Sequence, residues 1–225
     1  EHLLRRHLEL AARAAEALAH RTHTLRQHLP QLVEVVLVLL HETGQSDRVA
    51  LQAAQLTPVN PDAGVVESNP AGKIPALRLA DGSVLHDSRV ILDYLDQQHV
   101  GVPLIPLSGS ARWRRLTLAS LADAILDAAV LMRYETFLRP AEKRWDEWLA
   151  GQQEKVERSL AYFEQDCLAE LSSHFDIAAL SLACALGYLD LRQPELGWRE
   201  RYAGLAAWYA EVSQRPSMQA TEPPV

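Results

Sequence analysis

The sequence predicts a mixed α/β fold in the N-terminal part of the chain and an all-helical fold in the C-terminal part. The dipeptide Asp81-Gly82 lies between two short apolar runs, which is the strongest short-range signal for a β-hairpin. Residues 100–110 are marked by Pro and Gly, as linkers commonly are. Beyond them, apolar residues recur at helical spacing to near the end of the chain. We therefore predict two domains, residues 1–100 and residues 109–225.

The composition is that of a soluble globular protein, with 225 residues, 48% hydrophobic and 23% charged. The net charge of −7 argues against a general binder of nucleic acids or acidic membranes, which would need a basic face. No stretch is apolar for long enough to span a bilayer, and the start of the chain does not resemble a signal peptide. The two cysteines, Cys167 and Cys184, lie in helical-looking sequence and suggest no disulfide framework. We expect buried thiols in a reducing cytoplasm.

The first 34 residues form an atypical segment in which Leu and Ala recur at helical spacing, predicting a helix over about 2–21. His20 and His23 are spaced to share a face of this helix, but no carboxylate or cysteine follows at ligand spacing. We therefore expect solvated histidines and no metal site. Five of the nine histidines lie here: His2, His7, His20, His23 and His28.

The next segment is a dense apolar run over residues 32–40 that ends in His41-Glu42-Thr43-Gly44. Periodicity cannot separate a buried helix from a buried strand here, and the β-branched residues favour a strand. Residues 48–53 suit a strand, whereas residues 57–68 are rich in Pro, Asn, Asp and Gly and predict a loop with at most a short helix.

The most informative stretch runs from Asn69 to Ser88. Pro75 stands where a strand should begin, and there it marks an edge, a bulge or a cis turn. A two-residue hairpin at Asp81-Gly82 follows, and then Asp87-Ser88 opens an amphipathic helix ending near residue 99. A helix N-terminus can hold an anion, although any hairpin followed by a capped helix would look similar and Asp87 could serve as the cap.

Taken together, N-P-x-G-K-I-P, the D-G hairpin and the acid-Ser pair resemble the glutathione-binding half of the thioredoxin-like domain of bacterial, soluble glutathione transferases. The resemblance implies that Ile74, which precedes a cis-proline at Pro75, pairs its backbone with the cysteinyl part of glutathione. It implies that Asp87 and Ser88 hold the γ-glutamyl end and that Lys73 helps with a carboxylate. The family more often has Glu or Gln in place of Asp87, whose shorter side chain keeps the charge but loses reach.

The resemblance extends from about Val35 to the C-terminus and implies that the apolar run before Gly44 is the end of the first helix. It also implies a second strand at residues 48–53 and, before the helix, a first strand and a loop carrying the Ser, Cys or Tyr that activates the glutathione sulfur. Residues 25–40 contain no Ser, Cys, Tyr or Thr. We therefore assign no catalytic residue and expect the first strand to be atypical or lost. The nearest side chains that could support a thiolate are Thr22, Thr24, Arg26 and His28.

The C-terminal part predicts two long helices, residues 111–137 and residues 141–171, interrupted at Pro140 and packed as an antiparallel pair. Asp176 is placed to cap the next helix, and residues 202–212 predict the last one. The resemblance implies that the part of the first long helix carrying Arg133 and Tyr134 borders the acceptor-substrate pocket.

Two functions from different classes follow. One is a glutathione transferase that conjugates the glutathione thiolate to a small electrophile. The alternative is a non-catalytic glutathione-binding or protein-interaction module of the same fold. Both imply glutathione as co-substrate or ligand, no metal, no nucleic acid, no membrane, a cytoplasmic location and, from the family, a homodimer.

Overall fold

The computed structural model describes residues 33–222. The predicted helix over 2–21, the histidines within it and the candidate thiolate-supporting side chains between Thr22 and His28 lie outside the described residues. Within them, a small part with a two-stranded sheet is followed by a helical part.

The small part contains four helical segments and one hairpin. They are α1 (Glu34–Glu42), a 3-10 turn (Ser46–Arg48), α2 (Ala63–Ser68), β1 (Leu77–Arg78), β2 (Val84–Leu85) and α3 (Ser88–Asp96). The ambiguous apolar run is therefore a helix, as the resemblance implied, and five of its apolar side chains are buried. Helix α1 ends where Gly44 adopts a φ of 66°, which L side chains rarely adopt.

The hairpin forms at the predicted place but with a longer turn than predicted. Leu77 lies opposite Leu85, and the Leu79 N–H donates to the Ser83 carbonyl, so three residues connect the strands. The Gly82 N–H donates to the Leu79 carbonyl, and Gly82 has a φ of 88°. This is the three-residue connection in which a glycine with positive φ ends the turn. The predicted two-residue turn at Asp81-Gly82 is therefore wrong.

The second strand predicted over residues 48–53 is not formed. Residues 46–48 make a 3-10 turn, and no described residue pairs with the segment that follows, although Val49 is extended. A strand is defined by its hydrogen-bonded neighbour, and within residues 33–222 the sheet consists of β1 and β2. Residues 57–68 form a loop and the short helix α2, as predicted.

The helical part is built around a long helix, α4 (Gly109–Phe137), which packs against α5 (Asp146–Tyr162) and α7 (Ile177–Arg192). Helix α7 is almost entirely buried. The remaining segments are α6 (Leu168–Ser173), α8 (Trp198–Arg201), α9 (Ala203–Val212) and α10 (Pro216–Thr221). A π-helical turn, Phe163–Cys167, joins α5 to α6, and 3-10 turns lie at Ala141–Lys143 and Pro194–Leu196.

Two predicted helix boundaries in this part are wrong. Helix α5 begins at Asp146 and not at residue 141, because Ala141–Lys143 form a 3-10 turn and Arg144 and Trp145 are extended. The Trp145 N–H donates to the Glu135 carboxylate. The chain also does not end its helices at residue 212. Pro216 starts the further short helix α10, a position where its missing N–H costs nothing.

The linker between the two parts is held by Asp96, whose carboxylate is buried. Its two oxygens accept hydrogen bonds from the Leu104 N–H at 2.9 Å and the Ile105 N–H at 2.8 Å. The Leu104 carbonyl in turn accepts from the N–H of Ile177, the first residue of α7. The Asp176 side chain caps the same helix by accepting from the next two N–H groups, as predicted. The linker therefore ties the end of α3 to the start of α7.

Candidate functional site

The hairpin brings the two predicted site segments to one end of the sheet. β1 begins two residues after Pro75, and β2 ends two residues before Asp87. Because Leu77 lies opposite Leu85, the residues just before β1 and just after β2 are neighbours. The Ile74-Pro75 and Asp87-Ser88 segments therefore lie side by side.

The first segment offers an unpaired backbone. The Ile74–Pro75 peptide bond is cis, Pro75 is buried and Ile74 is partly buried. Within residues 33–222, neither the N–H nor the C=O of Ile74 is hydrogen-bonded to another backbone group. Partly buried backbone groups require partners, and an extended peptide laid alongside supplies both a donor and an acceptor.

The loop before this segment is organised by Asn69, a residue to which the sequence analysis gave no role. Asn69 is 2% exposed. Its Nδ2 donates to the Lys73 carbonyl at 2.8 Å, and its Oδ1 accepts from the Ala71 N–H at 3.0 Å. An Asn that bonds the backbone two residues on is a recognisable turn signal, so the Asn-Pro dipeptide could have indicated it. Lys73 itself is exposed, and its side chain contacts no partner in the described part of the chain.

The second segment is the N-terminus of α3. Asp87 is its N-cap, with Oδ1 accepting from the Arg89 N–H at 3.0 Å. Asp87 is exposed and Ser88 is partly buried. Oδ1 of Asp87 thus caps α3, whereas no described residue hydrogen-bonds to Oδ2 of Asp87. The positive end of the helix dipole and the carboxylate lie together here, so one place can receive both charges of an amino-acid end.

Helix α3 is joined to α4 beside this site by an ion pair. The Arg89 Nε donates to Asp123 Oδ2 at 2.7 Å. Burial raises the pKa of Asp123 despite the Arg89 guanidinium, and the nearby Asp127 and Asp87 raise it further. Local sequence could not predict this pair, because its two residues lie 34 positions apart.

A cleft of about 540 Å³ lies between α3 and α4. Its walls include the Arg89–Asp123 pair and a second ion pair between the same helices, in which Arg112 Nη2 lies 2.9 Å from Asp93 Oδ2. Most of the remaining lining is apolar, including Leu92, Leu116 and Ile177.

The two residues predicted to border an acceptor pocket lie farther along α4. Tyr134 is eleven residues beyond Asp123, on the same face of the helix and about 16 Å further along its axis. The Arg133 guanidinium carbon lies 4.1 Å from the centroid of the Phe137 ring. Burial raises the pKa of Tyr134. Arg133 and Tyr134 therefore lie along α4 apart from the residues at the hairpin end.

The described residues supply no activated thiol and no metal site. Cys167 and Cys184 are both buried and free, and burial raises the pKa of each thiol. Within residues 33–222 there is no group of three or more His, Cys, Asp or Glu side chains placed to hold a metal ion. No helix in this part of the chain is long and apolar enough to cross a membrane.

Comparison with known families identifies the architecture as a thioredoxin-like domain followed by a helical domain. The model of the glutathione S-transferase N-terminal domain matches residues 33–98, and that of the C-terminal domain matches residues 146–211. An uncharacterized GST-like protein of Escherichia coli (strain K12), YibF, is 30% identical over 194 residues, covering 85% of this chain and 94% of that protein. The chain belongs to the glutathione S-transferase family.

Solved structures support the same family assignment. A glutathione transferase family member from Pseudomonas fluorescens Pf-5 with bound glutathione is 67% identical, with a TM-score of 0.86 over 87% of this chain and 96% of that one. A structure from the same organism with bound S-(propanoic acid)-glutathione is 64% identical, with a TM-score of 0.82 over 89% and 97%. A glutathione S-transferase from Methylobacillus flagellatus KT with glutathione bound is 34% identical, with a TM-score of 0.77 over 88% and 96%.

Proposed function

We propose that this chain binds glutathione at the end of the hairpin and conjugates its thiolate to a small electrophile. The observation that carries the proposal is the register of the hairpin, in which Leu77 opposes Leu85. This register sets the unpaired backbone of Ile74 beside the N-terminus of α3. The glutathione bound by two solved relatives, and the S-(propanoic acid)-glutathione bound by a third, support the same class of ligand here.

Each part of the tripeptide has a partner in this arrangement. The cysteinyl backbone pairs with the N–H and C=O of Ile74, to which no other described backbone group is hydrogen-bonded. The γ-glutamyl carboxylate lies at the α3 N-terminus with Ser88, where helix N–H groups favour an anion. The γ-glutamyl ammonium meets the Asp87 carboxylate, whose Oδ2 remains available while Oδ1 caps the helix. Lys73, exposed at the loop, pairs with the other carboxylate.

The conjugation step needs glutathione as its thiolate, because the neutral thiol is a weak nucleophile at neutral pH. The thiolate sulfur forms a bond to an electrophilic carbon, and the leaving group departs with its electron pair. The C-terminal half of α4, with Arg133 and Tyr134, borders the electrophile in this proposal. The residue that stabilises the thiolate belongs to the segment before α1, where Thr22, Thr24, Arg26 and His28 are the candidates.

A second function, a glutathione-binding module without catalysis, is favoured by one observation. From Leu25 to Leu40 the chain has no Ser, Cys, Thr or Tyr that could donate a hydrogen bond to the sulfur. In this alternative the binding groups at Ile74, Asp87 and Ser88 hold glutathione, and no side chain lowers the pKa of its thiol.

Titration of the full chain with glutathione, paired with a conjugation assay on 1-chloro-2,4-dinitrobenzene, separates the two functions. Binding with turnover above the uncatalysed rate supports the transferase. Binding without turnover on this and other generic electrophiles overturns the transferase in favour of the module. If glutathione does not bind, both proposals fail.

We further propose a homodimer and a cytoplasmic location. Several apolar side chains of α3 and α4 are exposed, including Val90 at 47%, Trp113 at 66% and Leu131 at 41%. Exposed apolar side chains support contact with a second copy. Free, buried cysteines are consistent with a reducing compartment. Sedimentation of the full chain over a range of concentrations tests the dimer, and a monomer throughout contradicts it.

A further inference from the structure

Asn69 is fixed in place at the end of α2. Its N–H donates to the Val65 carbonyl at 2.7 Å, and its carbonyl accepts from the Gly72 N–H at 2.8 Å. The residue is 2% exposed, and both of its backbone groups have the partners that buried backbone groups require. The Asn69 side chain therefore extends from a backbone that is held on both sides.

The amide of Asn69 spans the loop that follows. Its Oδ1 accepts from the Ala71 N–H at 3.0 Å, and its Nδ2 donates to the Lys73 carbonyl at 2.8 Å. A backbone N–H can only donate and a carbonyl can only accept, so these two partners allow the amide one orientation. A carboxylate of the same size could keep the first hydrogen bond but not the second, because an ionised carboxylate has no donor.

The hydrogen bond to Lys73 fixes the direction of the Ile74 N–H. The Lys73 carbonyl and the Ile74 N–H belong to one peptide unit, which is trans. In a planar trans peptide the C=O and the N–H point in opposite directions. Because Asn69 holds the carbonyl toward the loop, the Ile74 N–H points away from the loop. Within residues 33–222 this N–H has no backbone partner.

We propose that Asn69 is a positioning residue for glutathione, which orients the Lys73–Ile74 peptide unit so that the Ile74 N–H meets the cysteinyl carbonyl of the tripeptide. This inference rests on the proposed function, in which the cysteinyl backbone pairs with Ile74. Asn69 does not touch the ligand and acts through the peptide unit alone. Without its hydrogen bond the unit could rotate, and binding would have to remove that freedom.

A role in stabilising the loop alone would affect ligands differently. The Ile74 N–H meets one group of the ligand, the cysteinyl carbonyl, so a ligand without that carbonyl should not respond to the orientation of the peptide unit. A loop displaced as a whole would also move Lys73 and the Ile74 carbonyl, and it would weaken the binding of every ligand. Comparison of one substitution across several ligands therefore separates the two roles.

The test is calorimetric titration of the full chain and of N69D with three ligands in reduced form: glutathione, glutathione glycinamide and γ-glutamylcysteamine. The glycinamide keeps the cysteinyl carbonyl and lacks the glycyl carboxylate, whereas γ-glutamylcysteamine lacks both. N69D keeps an acceptor for the Ala71 N–H and loses the donor to the Lys73 carbonyl. We expect the Kd of the first two ligands to rise about fivefold and that of γ-glutamylcysteamine by less than about twofold.

The matched control is N60D, which makes the same exchange in the other Asn-Pro dipeptide of the chain, at an exposed position. It should leave all three Kd values within about twofold. N69A removes the donor without adding a charge, so it should repeat the pattern of N69D across the ligands. If N69D does not fold, N69A decides.

Equal rises in Kd for all three ligands overturn the inference, because they indicate a displaced loop. A rise confined to glutathione also overturns it, since the effect would then act through the glycyl carboxylate and Lys73. In both cases the proposed function stands, because the unmodified chain still binds glutathione. If the unmodified chain binds none of the three ligands, the proposed function and this inference both fail.

Discussion

Glu42, at the end of α1, forms a two-point ion pair with Arg215, just before α10. The guanidinium Nε and Nη2 lie 2.9 Å and 2.8 Å from the two carboxylate oxygens, and the Ser217 hydroxyl donates to the same carboxylate. The Arg215 guanidinium also lies 4.0 Å from the centroid of the Phe175 ring. Helix α10 is thus joined to α1, the helix before which the resemblance places the sulfur-activating loop.

Replacing Glu42 by Gln should lower the free energy of unfolding by about 1–3 kcal/mol, because it removes the charge from this partly buried pair. Burial alone raises the pKa of Glu42, but hydrogen bonds from Arg215 and Ser217 outweigh it and hold the pKa below its usual 4.5. The stabilisation is therefore present above about pH 4.5 and is lost as the pH falls through the lower native pKa. Urea unfolding of the native chain and of E42Q, at about pH 4.5 and at lower pH values, measures this loss of stabilisation.

The matched control is E154Q, which breaks an ion pair with Arg158 whose side chains are both 67% exposed. It should change the unfolding free energy by less than about 0.5 kcal/mol. Equal losses in the two variants would show that the contact between Glu42 and Arg215 does not stabilise the packing of α10.

Glu34, in the first turn of α1, should give the free energy of unfolding the opposite pH dependence. Burial, with a smaller contribution from Glu222, raises its pKa from 4.5 to about 8. The folded chain therefore holds a proton that the unfolded chain releases, so stability is full below about pH 4.5 and is lost as the pH rises toward 8. Relative to E34Q, the native chain should lose about 2–4 kcal/mol of unfolding free energy across this interval.

Unfolding by urea at several pH values across this interval checks the prediction for Glu34. E147Q is the control, because Glu147 also lies in the first turn of a helix but is exposed. Parallel stability curves for the native chain and E34Q would rule out a raised pKa for Glu34.

Asp87 has two roles that different substitutions separate. D87N keeps an oxygen that can accept from the Arg89 N–H, and Asn caps helices as well as Asp does. It removes the charge proposed to meet the γ-glutamyl ammonium, so the Kd of glutathione should rise about tenfold with stability nearly unchanged. D87A should weaken binding similarly and also cost about 1 kcal/mol of stability. Calorimetry and urea unfolding of both variants give the two readouts, and unchanged binding in D87N contradicts the ligand role.

The Arg89–Asp123 pair should position the α3 N-terminus for glutathione. D123N is expected to raise the Kd of glutathione about threefold, the effect of a partly exposed ion pair. D93N is the internal control, since the Asp93–Arg112 pair joins the same two helices but lies farther from Ser88. It should leave the Kd within about twofold. Fluorescence titration of D123N and D93N with glutathione measures the two Kd values. Equal changes in Kd would mean that the two ion pairs act on stability alone.

Local features of the fold could be predicted because their causes lie within a few residues. Asp176 caps α7 through N–H groups two and three positions away. The hairpin formed at Asp81-Gly82 because a glycine with positive φ ends the turn, although the turn is one residue longer than predicted. The prediction of a strand at residues 48–53 was wrong because a strand depends on a hydrogen-bonded neighbour, which no local pattern specifies.

The sequence by itself determined the order of the elements and the segment from Asn69 to Ser88 that points to glutathione. The tertiary structure alone decided which charges meet. Glu42 and Arg215 are 173 positions apart, and Arg89 and Asp123 are 34 apart. Helical periodicity and caps are encoded within one or two turns, whereas the pairing of distant side chains follows from how the buried faces of the helices pack.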